Sequence, residues 1–114
     1  MTRPRTVPDN GVAMVTYDVE CPVAFAADVA PDQQVLFRKG AGGRPGWIAA
    51  VPVVRWNGPR DALVLLVLRE PEGSAIEGVC AKALTKVREW LTKAGLAPES
   101  GAAPDVQCVA IPRG

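Results

Sequence analysis

Apolar and polar positions alternate from residue 12 to residue 25, which is the pattern of a β-strand with one buried face. The odd positions in this stretch are all apolar, whereas Thr16, Asp18 and Glu20 interrupt the even positions. Pro22 cannot donate a ladder hydrogen bond and is expected to bend the strand. The pattern therefore predicts a long first strand with one wet face.

Two shorter segments also have strand character. The stretch VLFRK, residues 35–39, carries Val35 and Phe37 on one face and is predicted to be the second strand. The stretch WIAAVPVVRW, residues 47–56, is predicted to be the third strand, with Pro52 at a sheet edge or a bulge. The following NGPR is typical of a turn, in which asparagine and glycine accept positive φ.

The stretch ALVLLVL, residues 62–68, is apolar at every position and is predicted to lie in the centre of the sheet. A strand that is apolar on both faces needs a helix on one face and apolar material on the other. If the first strand does not cover that second face, we expect another subunit to cover it.

A long amphipathic helix is predicted after this strand. SAIE, residues 74–77, matches a capping box, in which the Ser74 side chain accepts a hydrogen bond from the Glu77 amide. Gly95 favours a stop with positive φ, and Pro98 prevents the helix from resuming. The apolar stripe recurs at three- and four-residue spacing through Ile76, Val79, Cys80, Ala83, Leu84, Val87, Trp90 and Leu91.

The stretch VQCVAI, residues 106–111, is predicted to be the last strand, so the element order is β-β-β-β-α-β. This order predicts an α+β fold with an antiparallel or mixed sheet of about five strands and one long amphipathic helix packed on one face. Residues 12–111 are expected to form a single α+β domain, preceded by a flexible N-terminal arm, residues 1–11. A dinucleotide-binding βαβ fold is disfavoured, because one helix would serve five strands.

The composition agrees with one folded domain and excludes several kinds of catalytic and metal site. The 114 residues are 48% apolar and 22% charged, and the formal net charge of +1 supplies no overall field for nucleic acid or an anionic membrane. Histidine is absent, which excludes Ser-His-Asp and Cys-His catalysis and histidine-containing zinc sites. We therefore predict a non-enzymatic protein with no cofactor and no metal.

Cysteine usage and the apolar runs bear on the compartment. Cys21, Cys80 and Cys108 are odd in number, far apart and set in apolar contexts, which favours reduced core thiols over disulfides. One reactive thiol is the alternative, although no activating base is identified for it. The longest apolar run has seven residues and the N-terminus has no signal-peptide pattern, so we expect a cytoplasmic protein or part of a particle assembled there.

The glycine-rich stretch RKGAGGRPG, residues 38–46, raises the question of a phosphate cradle. Neither the P-loop pattern nor GxGxxG fits, because proline and tryptophan occupy required positions and the loop is predicted to join two strands. A mobile connector is the first interpretation. The second is contact with phosphate or with a partner's carboxylates through Arg38, Lys39 and Arg44.

Tryptophan supplies the other candidate interface residues. Trp47 and Trp56 are nine residues apart, so they lie on opposite faces of a regular strand and at least one is a candidate for exposure. A tryptophan that covers the open end of the sheet is the competing interpretation. Nucleic-acid binding is disfavoured, because the strands lack the paired aromatic residues of a stacking platform.

Asp18 and Glu20 are the best placed carboxylates. They share one face of the first strand about 7 Å apart, which is compatible with a carboxylate pair or a cation site. The same pattern is typical of a solvent-facing strand, and we favour that interpretation.

RKGAGG followed by strand, strand and helix loosely resembles small α+β ring-forming components of tailed-phage particles, although no counterpart of a leading helix is predicted. The resemblance implies an assembly role and a particle or ring-type structural component. We expect a protein-interaction or assembly module that binds itself or other subunits, with no membrane partner. The alternative is a regulatory domain that binds a small ligand in a pocket between helix and sheet.

Overall fold

Two helices and five strands make up the described part of the chain, which in the computed structural model covers residues 13–41, 48–96 and 103–113. In chain order they are β1 (Met14–Ala24), α1 (Pro31–Gly40), β2 (Val53–Gly58), β3 (Asp61–Pro71), α2 (Ile76–Lys93), β4 (Asp105–Val106) and β5 (Val109–Pro112). Neither described helix combines the length and apolar character that a bilayer crossing requires. The predicted arm, residues 1–11, lies outside the described residues.

All strand pairs are antiparallel, in the order β2-β3-β1-β4, with β5 also paired to β1. Strands β1 and β3 run side by side over their whole length, from Met14 opposite Pro71 to Ala24 opposite Asp61. The predicted α+β class, with a five-stranded antiparallel sheet and a long helix, is confirmed. The predicted central place of residues 62–68 is also confirmed, because β3 lies between β1 and β2.

Both helices pack on one face of this sheet and enclose the core. The odd residues of β1 and the even residues of β3 point toward the helices and are buried. Phe37 of α1 and Trp90 of α2 lie in the same cluster. The predicted helical stripe is confirmed for the buried α2 residues Val79, Ala83, Val87, Trp90 and Leu91. Of its other members, Cys80 and Leu84 are half-buried and Ile76 is exposed.

The prediction of a strand at residues 35–39 is wrong, because these residues belong to helix α1. Pro31 is accommodated in the first turn, Asp32 suits the positive end of the helix dipole, and Arg38 and Lys39 suit its negative end. Val35 and Phe37 share a strand face in principle, but two apolar residues are too few to distinguish the two periods. The observed order is therefore β-α-β-β-α-β-β.

The predicted capping box of α2 is also wrong. Ala75 is the N-cap residue and no side chain caps it, while the Ser74 hydroxyl donates to the carbonyl oxygen of Pro71 at 2.7 Å. Ser74 therefore stabilises the turn after β3 instead of the helix. The predicted stop is confirmed, because Gly95 follows the helix with φ of 75°.

Two predicted strands are shorter than the sequence suggests. The third segment, predicted as residues 47–56, begins as a strand only at Val53 and continues to Gly58, and upstream of Pro52 the described chain keeps a single bridge between Ile48 and Leu68. A proline without an N–H interrupts the ladder at this sheet edge. The last segment divides into β4 and β5 on either side of Gln107, whose backbone N–H donates to the Pro22 carbonyl.

The expectation of three reduced thiols is wrong, because the pairing of β1 with the C-terminal strands brings two of the cysteines together. Cys21 of β1 and Cys108 lie next to the Pro22–Gln107 hydrogen bond and form a disulfide. They are separated by 87 residues in sequence, so nothing in the linear spacing reveals the pair. Cys80 of α2 remains free.

Candidate protein-association surface

The predicted interface residues do not form one cluster in the described part of the chain. Arg38 and Lys39 are exposed in the last turn of α1, where solvent and the helix dipole favour cations. Arg44 and Trp47 lie outside the described residues, as does most of the glycine-rich loop. Their proposed roles stay predictions.

Trp56 packs against the helix side of the sheet. Its ring stacks on Phe25 with the centroids 5.3 Å apart and meets the edge of Phe37 at 6.0 Å. Its indole N–H donates to the Gln34 carbonyl at 3.3 Å, which ties β2 to α1. Trp56 is half-buried, so most of its ring already serves the core.

The opposite face of the sheet has no helix on it. We call it the open face, and its side chains follow from the strand register. They are Met14, Thr16, Asp18, Glu20 and Pro22 of β1, Val53 and Arg55 of β2, Leu63, Leu65, Val67 and Arg69 of β3, and Val109 and Ile111 of β5.

An apolar column runs along the middle of the open face. Leu63, Leu65 and Val67 of β3 are only half-buried, because neighbouring strands shield them from the sides and no described element covers them from above. Apolar side chains also flank the column at the sheet edges, where Val53 is 48% and Val109 is 57% exposed. Contiguous apolar surface on a small domain is typical of an interface.

Charged side chains border the column in an uneven way. Asp18 and Glu20 form an acidic line on β1, and Arg55 lies on the other side of β3. Arg113 donates to Asp18 at 2.7 Å, and this hydrogen bond and charge hold the pKa of the Asp18 carboxyl below its ordinary value. Glu20 and Arg55 form no ion pair or side-chain hydrogen bond within the described residues.

The two carboxylates of the acidic line differ in their partners. Asp18 already has a cation as its partner, so Asp18 and Glu20 do not present a free pair. The described residues also contain no group of three or more histidine, cysteine or acidic side chains arranged to hold a metal ion.

A groove lies on the helix side of the molecule. It has a volume of about 410 Å³ and lies between α2 and the C-terminal strands. Its walls include Ile76, Leu84 and Val106, together with the free Cys80 and the disulfide-bonded Cys108. This groove is the place in the fold where the alternative, a small ligand between helix and sheet, has room.

The sequence predicted that the second face of residues 62–68 needs an apolar cover, from the first strand or from another subunit, but did not indicate Glu20, Arg55 or the leucines as interface residues. The signal was present in the doubly apolar β3, yet which side chains surround it depends on register. Comparisons of the chain with protein-family models, with curated proteins and with solved structures find no match.

Proposed function

We propose that this protein is a non-enzymatic protein-interaction or assembly module, a subunit of a homo-oligomer or larger complex that associates through the open face. A particle or ring-type structural component is one form such a complex takes. The single observation that carries the proposal is the half-exposed column Leu63, Leu65 and Val67 at the centre of a sheet with helices on one side only.

Burial energetics support this role. Removing apolar side chains from water stabilises an association by about 25 cal/mol for each Å² buried. The central position of the column matches the usual interface, in which an apolar centre is surrounded by a polar rim. Here the rim is supplied by Glu20, Arg55 and Arg69.

The direct test is the solution mass of the Leu65→Glu variant, measured by light scattering on a size-exclusion column. Leu65 faces the open side, so a carboxylate there leaves the monomer core intact but becomes desolvated when two surfaces meet. We expect the wild-type protein to form a species heavier than the monomer and the variant to shift to monomer mass.

Leu36→Glu is the matched control, because Leu36 is 55% exposed on α1, away from the open face. This variant should keep the wild-type mass, and far-UV circular dichroism should show both variants folded. A wild-type protein that stays monomeric up to about millimolar concentration, the range of weak specific binding, would contradict the proposal.

The second candidate function is small-ligand binding in the groove between α2 and the C-terminal strands. Its partly apolar walls and its volume of about 410 Å³ favour a compact ligand. A thermal-shift screen, with Leu84→Trp as a variant that fills the groove, tests it: stabilisation of the wild type that the variant loses supports this function.

The proposed compartment is the cytoplasm or a particle assembled there. The Cys21–Cys108 disulfide favours the second choice, because disulfides form and persist in the oxidising environment that a particle meets after it leaves the reducing cytoplasm.

A further inference from the structure

We propose that the partner of the open face is a second copy of this chain, related by a two-fold axis along β3 that sets Arg55 of each copy against Glu20 of the other. The inference rests on the proposed function, since it requires the open face to be the association surface. It adds the identity of the partner and its orientation.

The strand register places opposite charges on the two sides of the apolar column. Leu65 lies between Glu20 on β1 and Val53 on β2, and Arg55 lies beside Leu63 on the β2 side. Neighbouring strands are about 4.8 Å apart, so the anion and the cation each lie one strand from the centre. Both lack an ion-pair partner within the described residues.

The two-fold axis lies between the two facing sheets, parallel to β3 and directly above it, so it exchanges the β1 and β2 sides of the open face. Leu63, Leu65 and Val67 then meet their own counterparts, and the β2 side of one copy lies over the β1 side of the other. Arg55 and the facing Glu20 are offset by two residues, about 7 Å along the strand, and packed sheets are about 10 Å apart. The two extended side chains span that offset, and the contact occurs twice in each dimer.

Several other two-fold axes in the plane of the face oppose like charges or bury a carboxylate. An axis across the strands at the level of Asp18 and Glu20, or one along β1, lays this acidic line on itself, which like-charge repulsion disfavours. An axis midway between β1 and β3 sets Glu20 on Leu65 of the other copy, where a carboxylate loses water and gains no partner. The charge pattern therefore favours the axis along β3 over these arrangements.

Arg69 supplies an internal control. It lies on β3 beyond Val67 and is exposed, so the same axis brings it next to its own counterpart at the rim. A charge at this position meets an identical charge in the dimer whichever sign it has. Reversing the charge of Arg55 should therefore weaken the dimer, whereas reversing the charge of Arg69 on the same face should have little effect.

The overlap of the two faces suits a dimer of weak to moderate affinity. Strands β1 and β3 each have 11 residues, and β2 has six. The axis along β3 lays β3 on β3 and β2 on part of β1, an overlap on the order of 350 Å² in projection, while β5 falls beyond the edge strand β2 of the other copy. Side-chain relief raises the buried area above this projection, toward the lower end of the range for specific interfaces, below the roughly 800 Å² per partner of a standard one.

The test is a set of charge reversals measured by sedimentation equilibrium. Glu20→Arg alone and Arg55→Glu alone should each weaken the homodimer by about tenfold or more, because each reversal creates two repulsive contacts. An equimolar mixture of the two variants should recover a dimer, since every 20–55 contact in the heterodimer is again between opposite charges. The double variant Glu20→Arg/Arg55→Glu should recover it as well.

Arg69→Glu is the matched control and should leave the dimer dissociation constant within about twofold of wild type, a change well below one tenfold step. If the wild type associates and Leu65→Glu disrupts it, but the mixture does not recover a dimer, the two-fold arrangement is overturned while the association role stands. A wild type that is monomeric throughout overturns both. Recovery in the mixture without recovery in the double variant also contradicts the arrangement.

Discussion

Two acidic residues of the sheet form ion pairs that link different elements of the fold. Glu70 is a buried carboxylate on the helix side, and Lys82 of α2 binds both of its oxygens at 2.8 and 3.0 Å. This pair links β3 to α2. A carboxylate buried against the helix layer would be costly without a partner, and here the Lys82 ammonium group is that partner. Asp18 on the open face is exposed and paired with Arg113, and that contact joins β1 to the residue after β5.

Replacing Arg113 with alanine should raise the pKa of Asp18 toward its ordinary value, because the group that stabilises the carboxylate is removed. Carbon-detected NMR titration of the Asp18 carboxyl measures the change, with Lys93→Ala as a control that should leave it unaltered. Because the pKa of Asp18 is lower in the folded state than in the unfolded state, the pair with Arg113 contributes its full stabilisation at pH values above the unfolded-state pKa. That contribution is lost as the pH falls through the lowered pKa. An Asp18 titration identical in wild type and Arg113→Ala would contradict the pairing.

Among the elements, helix α2 contributes most to the core that supports the open face. Its 18 residues bury five side chains against β1 and β3, so the sheet is held from one side only. Helix α1 closes the β2 end of the same layer through Phe37 and the contact with Trp56. The open face therefore has a rigid support although nothing covers it within the described residues.

Leu91→Ala in α2 should lower the free energy of unfolding by about 2–5 kcal/mol, since it removes a fully buried side chain and leaves a cavity. Leu36→Ala is the matched control. Its side chain is 55% exposed, so the expected loss is below about 1 kcal/mol. Urea denaturation of both variants provides the comparison, and equal losses would show that Leu91 is not in the core.

At the scale of the whole molecule, the C-terminal strands complete a sheet that the first strand begins. The Cys21–Cys108 disulfide and the β1–β5 ladder join segments from the two ends of the described chain. The same contacts extend the open face by Val109 and Ile111, which are 57% and 53% exposed. The contacts that join the two ends of the described chain thus also widen the open face.

Cys21→Ala/Cys108→Ala should destabilise the fold by about 2–5 kcal/mol in urea, because a long loop of the unfolded chain is no longer cross-linked. Thiol titration of the denatured wild type should find one free thiol before reduction, from Cys80, and three after it. Cys80→Ala, which leaves the cross-link intact, is the control for stability. Three free thiols without a reductant would contradict the disulfide.

Periodicity was a reliable guide where a segment was long. The alternation across β1 and the stripe of α2 repeat their periods several times, so their type and buried faces could be predicted, and the unbroken apolar run of β3 indicated a central strand. Periodicity misled at residues 35–39, because so short a segment fits the two-residue period of a strand and the roughly 3.6-residue period of a helix equally well. The proline in the first turn and the charges at the two ends favour the helix. The capping signature failed because the helix begins one residue later, with Ala75 as its N-cap residue, and the Ser74 hydroxyl belongs to the preceding turn, where it donates to the Pro71 carbonyl.

The amino-acid sequence by itself determined the α+β class, the buried faces of β1, β3 and α2, and the need for something to cover the second face of β3. These properties depend on side chains that are close in sequence, and their spacing is visible in one dimension. Only the tertiary structure decided that Cys21 meets Cys108, that Arg113 holds Asp18, and that Glu20 and Arg55 flank one apolar column. Those contacts depend on strand order and register, which bring together residues from distant parts of the chain.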